Sequence, residues 1–201
     1  MTIKKGEPWG RPGPVPSDAV VVRSDGDARA VVDEARRAGE APPPLVLLGG
    51  DLCRTLGGRG EIRDGQTHHF PVDIGAALVD GRLHWFVSHL VAMRSWWRGQ
   101  VVMAMNVQWR GDWNVGHRAH PNDGMLDVYD FGGLSAIDRW QARRRLPSGS
   151  HVPHPGIGYQ RTAATQLHLR PPLPVFLDGE PIGRARNLSL RVEDDALTVI
   201  V

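Results

Sequence analysis

Three short stretches set carboxylates beside glycine, a combination that can hold a cation, a phosphate or a reacting hydroxyl. The first is Asp178-Gly179-Glu180, which follows the apolar run 174–177. Two carboxylates one residue apart at a strand end can share a site, one acting as general base and its neighbour setting that base's pKa. Asp-Gly is also a common two-residue hairpin loop, because both positions tolerate positive φ. The second stretch is Pro121-Asn122-Asp123-Gly124-Met125-Leu126-Asp127. Such a turn can aim a carboxylate and backbone carbonyls at one point and so hold a hard cation such as Mg²⁺ or Ca²⁺. It reads equally as a plain Asn-Asp-Gly turn between strands. The third is Gly49-Gly50-Asp51 after the apolar run 45–48. Backbone amides in such a loop can cradle phosphate, or the glycines simply make a connection.

Other residues invite plainer readings. His117, His120, His151 and His154 suggest zinc, but His151 and His154 are interleaved with prolines and Cys53 is the one thiol, so a four-ligand zinc centre is disfavoured. Trp96-Trp97-Arg98, with Arg94, is either a membrane-surface patch or, for at least one indole, core packing. Cys53 reads as a small buried hydrophobe.

The elements that must position these residues follow from periodicity. Residues 1–19 are rich in proline and glycine and predict an extended arm. A β-branched run at 20–22, a helical pattern over 27–38 stopped by Gly39, and the run 45–48 form a strand–helix–strand order in a small α/β segment, residues 20–72. Beyond it the periodicity is that of strands. Runs 74–79 and 83–87 flank Asp80-Gly81, and strands are predicted at 101–109, 127–131, 165–169, 175–177, 188–192 and 197–201, with Glu193-Asp194-Asp195 as the last turn. Ser135 caps the clearest helix, on which Ile137, Trp140 and Leu146 recur at helical spacing. The fold class is therefore α+β: a mostly antiparallel sandwich or barrel-like domain over 73–201 with one clear helix, preceded by the small α/β segment.

Composition narrows the function. With 24 basic and 22 acidic side chains among 201 residues the net charge is +2, and no basic stripe of the kind that binds nucleic acid is evident. One cysteine excludes an intrachain disulfide, and the start lacks an apolar leader, so a soluble, cytoplasmic protein is expected.

Taken in order, Gly-Gly-Asp, Asn-Asp-Gly-x-Leu-Asp, the Gly-x-His-x-x-His-Pro segment at 149–155 and Asp-Gly-Glu resemble the diacylglycerol kinase-like lipid kinase family. The resemblance runs from about residue 73 to 201, that family's C-terminal β-rich domain. It implies a site between two domains, with ATP on a Gly-Gly-Asp-Gly-Thr loop and a lipid or other small alcohol as phosphoryl acceptor. Carried over, Asp178 matches the base with Glu180 beside it. Asp123 and the carbonyls of His120 and Met125 match a structural Mg²⁺ site, and Gly49, Gly50 and Asp51 match the start of the nucleotide loop. Leu52 and Cys53 stand where that loop continues Gly-Thr, Asn122 replaces a carboxylate, and the N-terminal half is short by at least a strand–helix pair. These departures leave two readings, an ATP-dependent lipid kinase and a non-catalytic protein that binds a ligand or regulates a partner. A homo-oligomer, in which a second subunit completes the short half, is compatible with both.

Overall fold

The computed structural model describes residues 9–61 and 67–201, so part of the expected arm, residues 1–8, lies outside the described residues. Within the arm a three-residue strand, β1 (Arg11–Gly13), runs antiparallel to β4 (Thr67–Val79). Then come β2 (Val20–Val22), α1 (Asp25–Ala38), β3 (Leu45–Leu47) and the short α2 (Gly50–Thr55). Helix α1 starts two residues before its apolar periodicity does. Ser24 caps it, its hydroxyl accepting from the Asp27 amide at 3.1 Å, and Asp25 and Asp27 lie at the positive end of its dipole.

The remainder is built on antiparallel strands: β5 (Arg82–Phe86), β6 (His89–Ser95), β7 (Arg98–Met105), β8 (Leu126–Asp130), β9 (Gly158–Thr162), β10 (Ala164–Leu177) and β11 (Glu180–Ile200). Helix α3 (Ala136–Arg145) lies between β8 and β9 and runs into a 3-10 turn at Leu146–Ser148. The spatial order is β1-β4-β11-β10-β6-β7-β8-β9, with β5 added on β4. The α/β segment continues this sheet: Val199 and Ile200 pair in parallel with Leu45 and Val46. Asp80 and Gly81, both at positive φ, close the β4–β5 hairpin as their types require.

Three apolar clusters form the core. One, including Phe86, Leu90, Val175 and Leu188, fills the body of the strands. A second, with Val32, Leu52, Val72, Trp85 and Val199, lies under α1. A third, with Trp96, Met103, Tyr129, Phe131 and Leu146, lies under α3.

Several expectations are corrected. The runs 165–169 and 175–177 belong to one strand, β10, and 188–192 and 197–201 to another, β11. Glu193-Asp194-Asp195 is consequently no terminal turn. It is a register shift against β4 within β11, an extra stretch that the partner strand does not match. Strands β6 and β9 and helix α2 were not predicted. On α3 the helical spacing of the apolar residues does not mark the buried face. Ile137 is 70% exposed and Trp140 51%, while Arg139 and Ala142 face inward. The cause is Arg139, whose guanidinium donates to the carbonyls of Trp96, Leu134 and Gly99. Those bonds fix the helix rotation, which turns the opposite face outward.

Candidate functional site

The β10–β11 connection is the two-residue loop Asp178-Gly179, with both residues at positive φ. It is thus the hairpin turn that the sequence allows, and it also aims a carboxylate inward. Asp178 accepts hydrogen bonds from the amides of Val87 (2.9 Å), Ser88 (2.8 Å) and His89 (2.9 Å). These three successive amides, where β5 passes into β6, form a concave nest for an anion. Asp178 is buried, and burial is the main influence raising its pKa. The neighbouring Asp25 raises it further, while the three amides pull downward.

Asp25 reaches this point from the first turn of α1. Its carboxylate accepts from the amides of Asp51 (2.7 Å) and Leu52 (3.2 Å), and burial raises its pKa to about 6. Asp51 accepts from the Gly111 amide at 2.9 and 3.0 Å. Its pKa too is raised by burial, against the pull of the Gly111 amide, Arg110 and Arg54. His89 completes the cluster, with Nδ1 2.8 Å from the Ser88 hydroxyl and 3.9 Å from the Asp51 carboxylate. Burial, aided by Arg110, depresses its pKa to about 3, so the imidazole is neutral. Among the described residues, Asp25, Asp51 and His89 are the group whose potential metal-ligating atoms lie within 4.8 Å of one another.

Gly49 and Gly50 serve this arrangement by close approach. A Cβ on Gly50 would fall 2.3 Å from Asp25 Oδ1, and one on Gly49 would fall 2.3 Å from the Arg23 carbonyl. The glycines therefore let α2 press against the head of α1. The amides of Asp51 and Leu52, which a phosphate cradle would use, are taken by Asp25. Glu180 is exposed and approaches Gly26 at the head of α1. The carboxylate that acts on the pKa of Asp178 is thus Asp25, a correction to the pairing expected of Asp178 with Glu180.

The Asn-Asp-Gly turn belongs to a second acidic network. Asp123 accepts from the Met125 amide (3.0 Å) and is ion-paired to Arg161. Asp73 accepts from the amides of Gly124 (2.8 Å) and Asp195 (2.9 Å). Asn122 donates to Asp195 (2.7 Å), and the Asn122 amide donates to His120 Nδ1 (3.2 Å). The Mg²⁺ site expected from Asp123 with the His120 and Met125 carbonyls does not fit these residues as they stand. One Asp123 oxygen serves the Met125 amide, and a guanidinium covers the other where a cation would sit.

One buried side chain joins the two networks. Asn106 Nδ2 donates to the carbonyls of Asp73 (2.8 Å) and Val87 (2.9 Å), and the Val87 amide donates to Asp178. Asp178 is thus linked to Asp123 only through a chain of bonds by way of Val87, Asn106, Asp73 and Gly124. Neither the cavity of about 260 Å³ lined by His117, His154 and Tyr159 nor the one of about 300 Å³ beside Asp80 and Asn187 is lined by Asp123 or Asp178.

Sequence reasoning missed Asp25 and His89. For Asp25 a signal existed: a β-branched strand, then Asp-Gly, then a strongly periodic helix, the same grammar that drew attention to Gly49-Gly50-Asp51. His89 and Asn106 carry no local motif, since their role depends on which strands become neighbours. Of the histidines suggesting zinc, His117 and His151 have ring centroids 6.0 Å apart. His151 is buried with neither ring nitrogen hydrogen-bonded to protein. His154 faces Asp138 and His120 contacts Trp9, so the four are not gathered.

A mostly antiparallel sheet with an acidic turn seated in a backbone nest defines the class. Residues 74–201 match the family described as the YegS C-terminal NAD kinase beta sandwich-like domain, and the chain belongs to that family. The fold is shared with a solved diacylglycerol kinase from Bacillus anthracis str. Sterne, at 15% identity and a TM-score of 0.64, over 90% of this chain and 75% of that one. A further structure from that organism, also named for diacylglycerol kinase, aligns at 14% identity with a TM-score of 0.68, over 90% of this chain and 77% of that one. A search of curated proteins finds no match.

Proposed function

We propose that this chain is a lipid-kinase-family protein that binds a lipid or other small alcohol beside Asp178 and has lost efficient ATP-dependent phosphoryl transfer. The observation that carries this reading is the state of the head of α1. Arg23-Ser24-Asp25-Gly26-Asp27 follows β2 and opens the long helix, and it matches Gly-Gly-Asp-Gly-Thr at Asp25 and Gly26. In this reading it, and not Gly49-Gly50-Asp51, occupies the nucleotide-loop position. A phosphate there needs free amides and a positive field. The Asp27 amide instead donates to Ser24, and Asp27 turns its own carboxylate back to the Arg23 amide at 3.2 Å. The chain's own side chains thus use the Asp27 and Arg23 amides and add a negative charge where a triphosphate would approach. ATP does not fit these residues well.

The hydroxyl of an alcohol suits the other half of the cluster. Asp178 and Asp25 are carboxylates raised towards neutrality, and a carboxylate oxygen can accept a hydroxyl hydrogen beyond its amide bonds. The test pairs two measurements on wild type. Dioctanoylglycerol should raise the melting temperature, and radiolabelled ATP should leave no label on that lipid. Rapid transfer of label would overturn the reading.

The second reading, an active lipid kinase in the cytoplasm, is favoured by Asp178 itself. A buried carboxylate with a raised pKa suits a general base working near neutral pH. On that reading Asp178→Asn loses roughly 10²- to 10⁴-fold in turnover, the usual worth of a general base. Membrane-surface contact and a homo-oligomer completing the α/β half are compatible with either reading.

A further inference from the structure

Strands β8 and β9 stand at one end of the sheet order, and the loops that precede β8 and follow α3 bring histidines against them. Several buried polar atoms gather there without a hydrogen bond to protein: Asp127 Oδ2, the Tyr129 hydroxyl, His117 Nδ1 and both ring nitrogens of His151. Asp127, Tyr129 and His151 are each at most 1% exposed. Ring contacts hold the group together. His151 lies 5.5 Å from Tyr129 and 6.0 Å from His117, and Tyr159 lies 5.0 Å from Tyr129. The Tyr159 hydroxyl donates to Asp127 Oδ1 at 3.0 Å, which leaves Oδ2 as the open acceptor. Buried polar groups in native folds are almost always bonded, so these atoms call for a partner that is not protein. His117 and Tyr159 also line a cavity, together with Arg118, His154 and the apolar Val152 and Ile157. Its volume is about 260 Å³, roughly nine times a water molecule's share of the liquid. The cavity and the buried polar group thus share two side chains.

We propose that this pocket binds a small neutral polyol, a sugar or a sugar alcohol, with its hydroxyls bonded to His117, Asp127, Tyr129 and His151. A hydroxyl both donates and accepts, and these walls require both. Burial holds His151 neutral, its pKa depressed to about 4, so one ring nitrogen donates and the other accepts. The Tyr129 hydroxyl serves in either direction. Val152, Ile157 and the Tyr159 ring offer apolar faces to a carbon skeleton. Other ligand chemistries meet an obstacle. An anion would face the Asp127 carboxylate, and an organic cation would face Arg118, whose charge already acts on Asp127 and Tyr129. A metal ion needs its ligand atoms closer together. Among the described residues the group with such atoms within 4.8 Å of one another is Asp25, Asp51 and His89, not this one. An apolar molecule would leave the buried polar atoms unbonded. Asp178 does not line the cavity, so this is a second site that depends neither on nucleotide nor on the alcohol proposed beside Asp178.

The test is NMR of the histidine ring nitrogens in the full chain, titrated separately with glucose, myo-inositol, inorganic phosphate, tetramethylammonium and Zn²⁺. The His117 and His151 signals should move saturably with at least one of the two polyols, in the millimolar range or below that a ligand of so few atoms allows. The His89 ring, which reports on the Asp178 cluster, should not move, so failure here and failure of the alcohol reading are distinguishable. Tyr129→Phe should weaken binding roughly three- to tenfold, the worth of one buried hydrogen bond. His151→Phe, followed at the His117 ring, should weaken it at least about tenfold, because both ring nitrogens are lost. Tyr129→Phe removes a hydroxyl that bonds to no protein atom and should keep the wild-type melting temperature. If His151→Phe does not fold, Tyr129→Phe and the wild-type titrations decide. Shifts with phosphate, tetramethylammonium or Zn²⁺ in place of the polyols would overturn the proposal. So would shifts with none of the probes, as a pocket that holds water alone would give, movement of His89 in place of His117, or binding unchanged in both variants.

Discussion

Two acidic networks lie on either side of Asn106, and they solve the same electrostatic problem differently. Among the described residues no ion pair is made to the Asp178 or Asp25 carboxylate, and backbone amides carry the load: three for Asp178 and two for Asp25. Around Asp123 the balance comes from Arg161, a side chain that is itself well exposed. A backbone nest is fixed by the fold and cannot move aside, whereas a guanidinium on a long stem can. Burial raises the pKa in both, Asp25 and Asp123 each to about 6, but the first arrangement leaves its carboxyls without a countercharge, which suits handling a hydroxyl proton. The second holds a loop in shape.

The sharpest way to break this contrast is a pair of truncations followed by urea unfolding. Asp178→Ala strands three buried amides and should cost about 3 kcal/mol or more. Asp123→Ala removes a half-exposed ion pair and should cost within about 1 kcal/mol. Equal shifts in midpoint at constant slope would erase the distinction. Asn106→Leu should fall between, at about 2 kcal/mol, because the carbonyls of Asp73 and Val87 lose their shared donor.

A smaller effect appears in pH dependence, and it sets the dry interior apart from the wet rim. His151 is held neutral by burial, its pKa depressed to about 4. The unfolded chain then binds a proton between about pH 6.5 and 4 that the folded chain does not. Stability contributed by the neutral histidine is present above the unfolded pKa and is lost as pH falls through this window, at up to about 1.4 kcal/mol per pH unit. His151→Phe, which keeps the ring contacts with Tyr129 and Phe131, should show a correspondingly flatter acid limb. Parallel pH profiles for variant and wild type would show that His151 takes up its proton alike in the folded and unfolded chain.

Much of this architecture was legible in residue types. Asp80-Gly81 and Asp178-Gly179 name their hairpins, Ser135 names the cap of α3, and Gly39 the end of α1. What escaped had physical reasons. Periodicity marked α3 but not its buried face, because it counts apolar residues and cannot weigh a buried arginine that bonds three carbonyls. Continuous strands were divided at Pro171-Pro172 and at Glu193-Asp194-Asp195, where local propensity breaks but cross-strand pairing resumes. At the candidate site, Asp178 and Asp51 stood out through their glycine neighbours. Asp25 was passed over because Arg23 and Ser24, and no glycine, precede it. His89 and Asn106 acquire their roles only from strands distant in sequence.

The central claim is that the head of α1 is capped by Ser24 and Asp27 in place of a nucleotide. Calorimetric titration of the wild-type chain with Mg²⁺·ATP tests it most directly. Heat no different from dilution up to millimolar nucleotide is the predicted result; saturable binding below that range, abolished by Asp25→Asn, would contradict it.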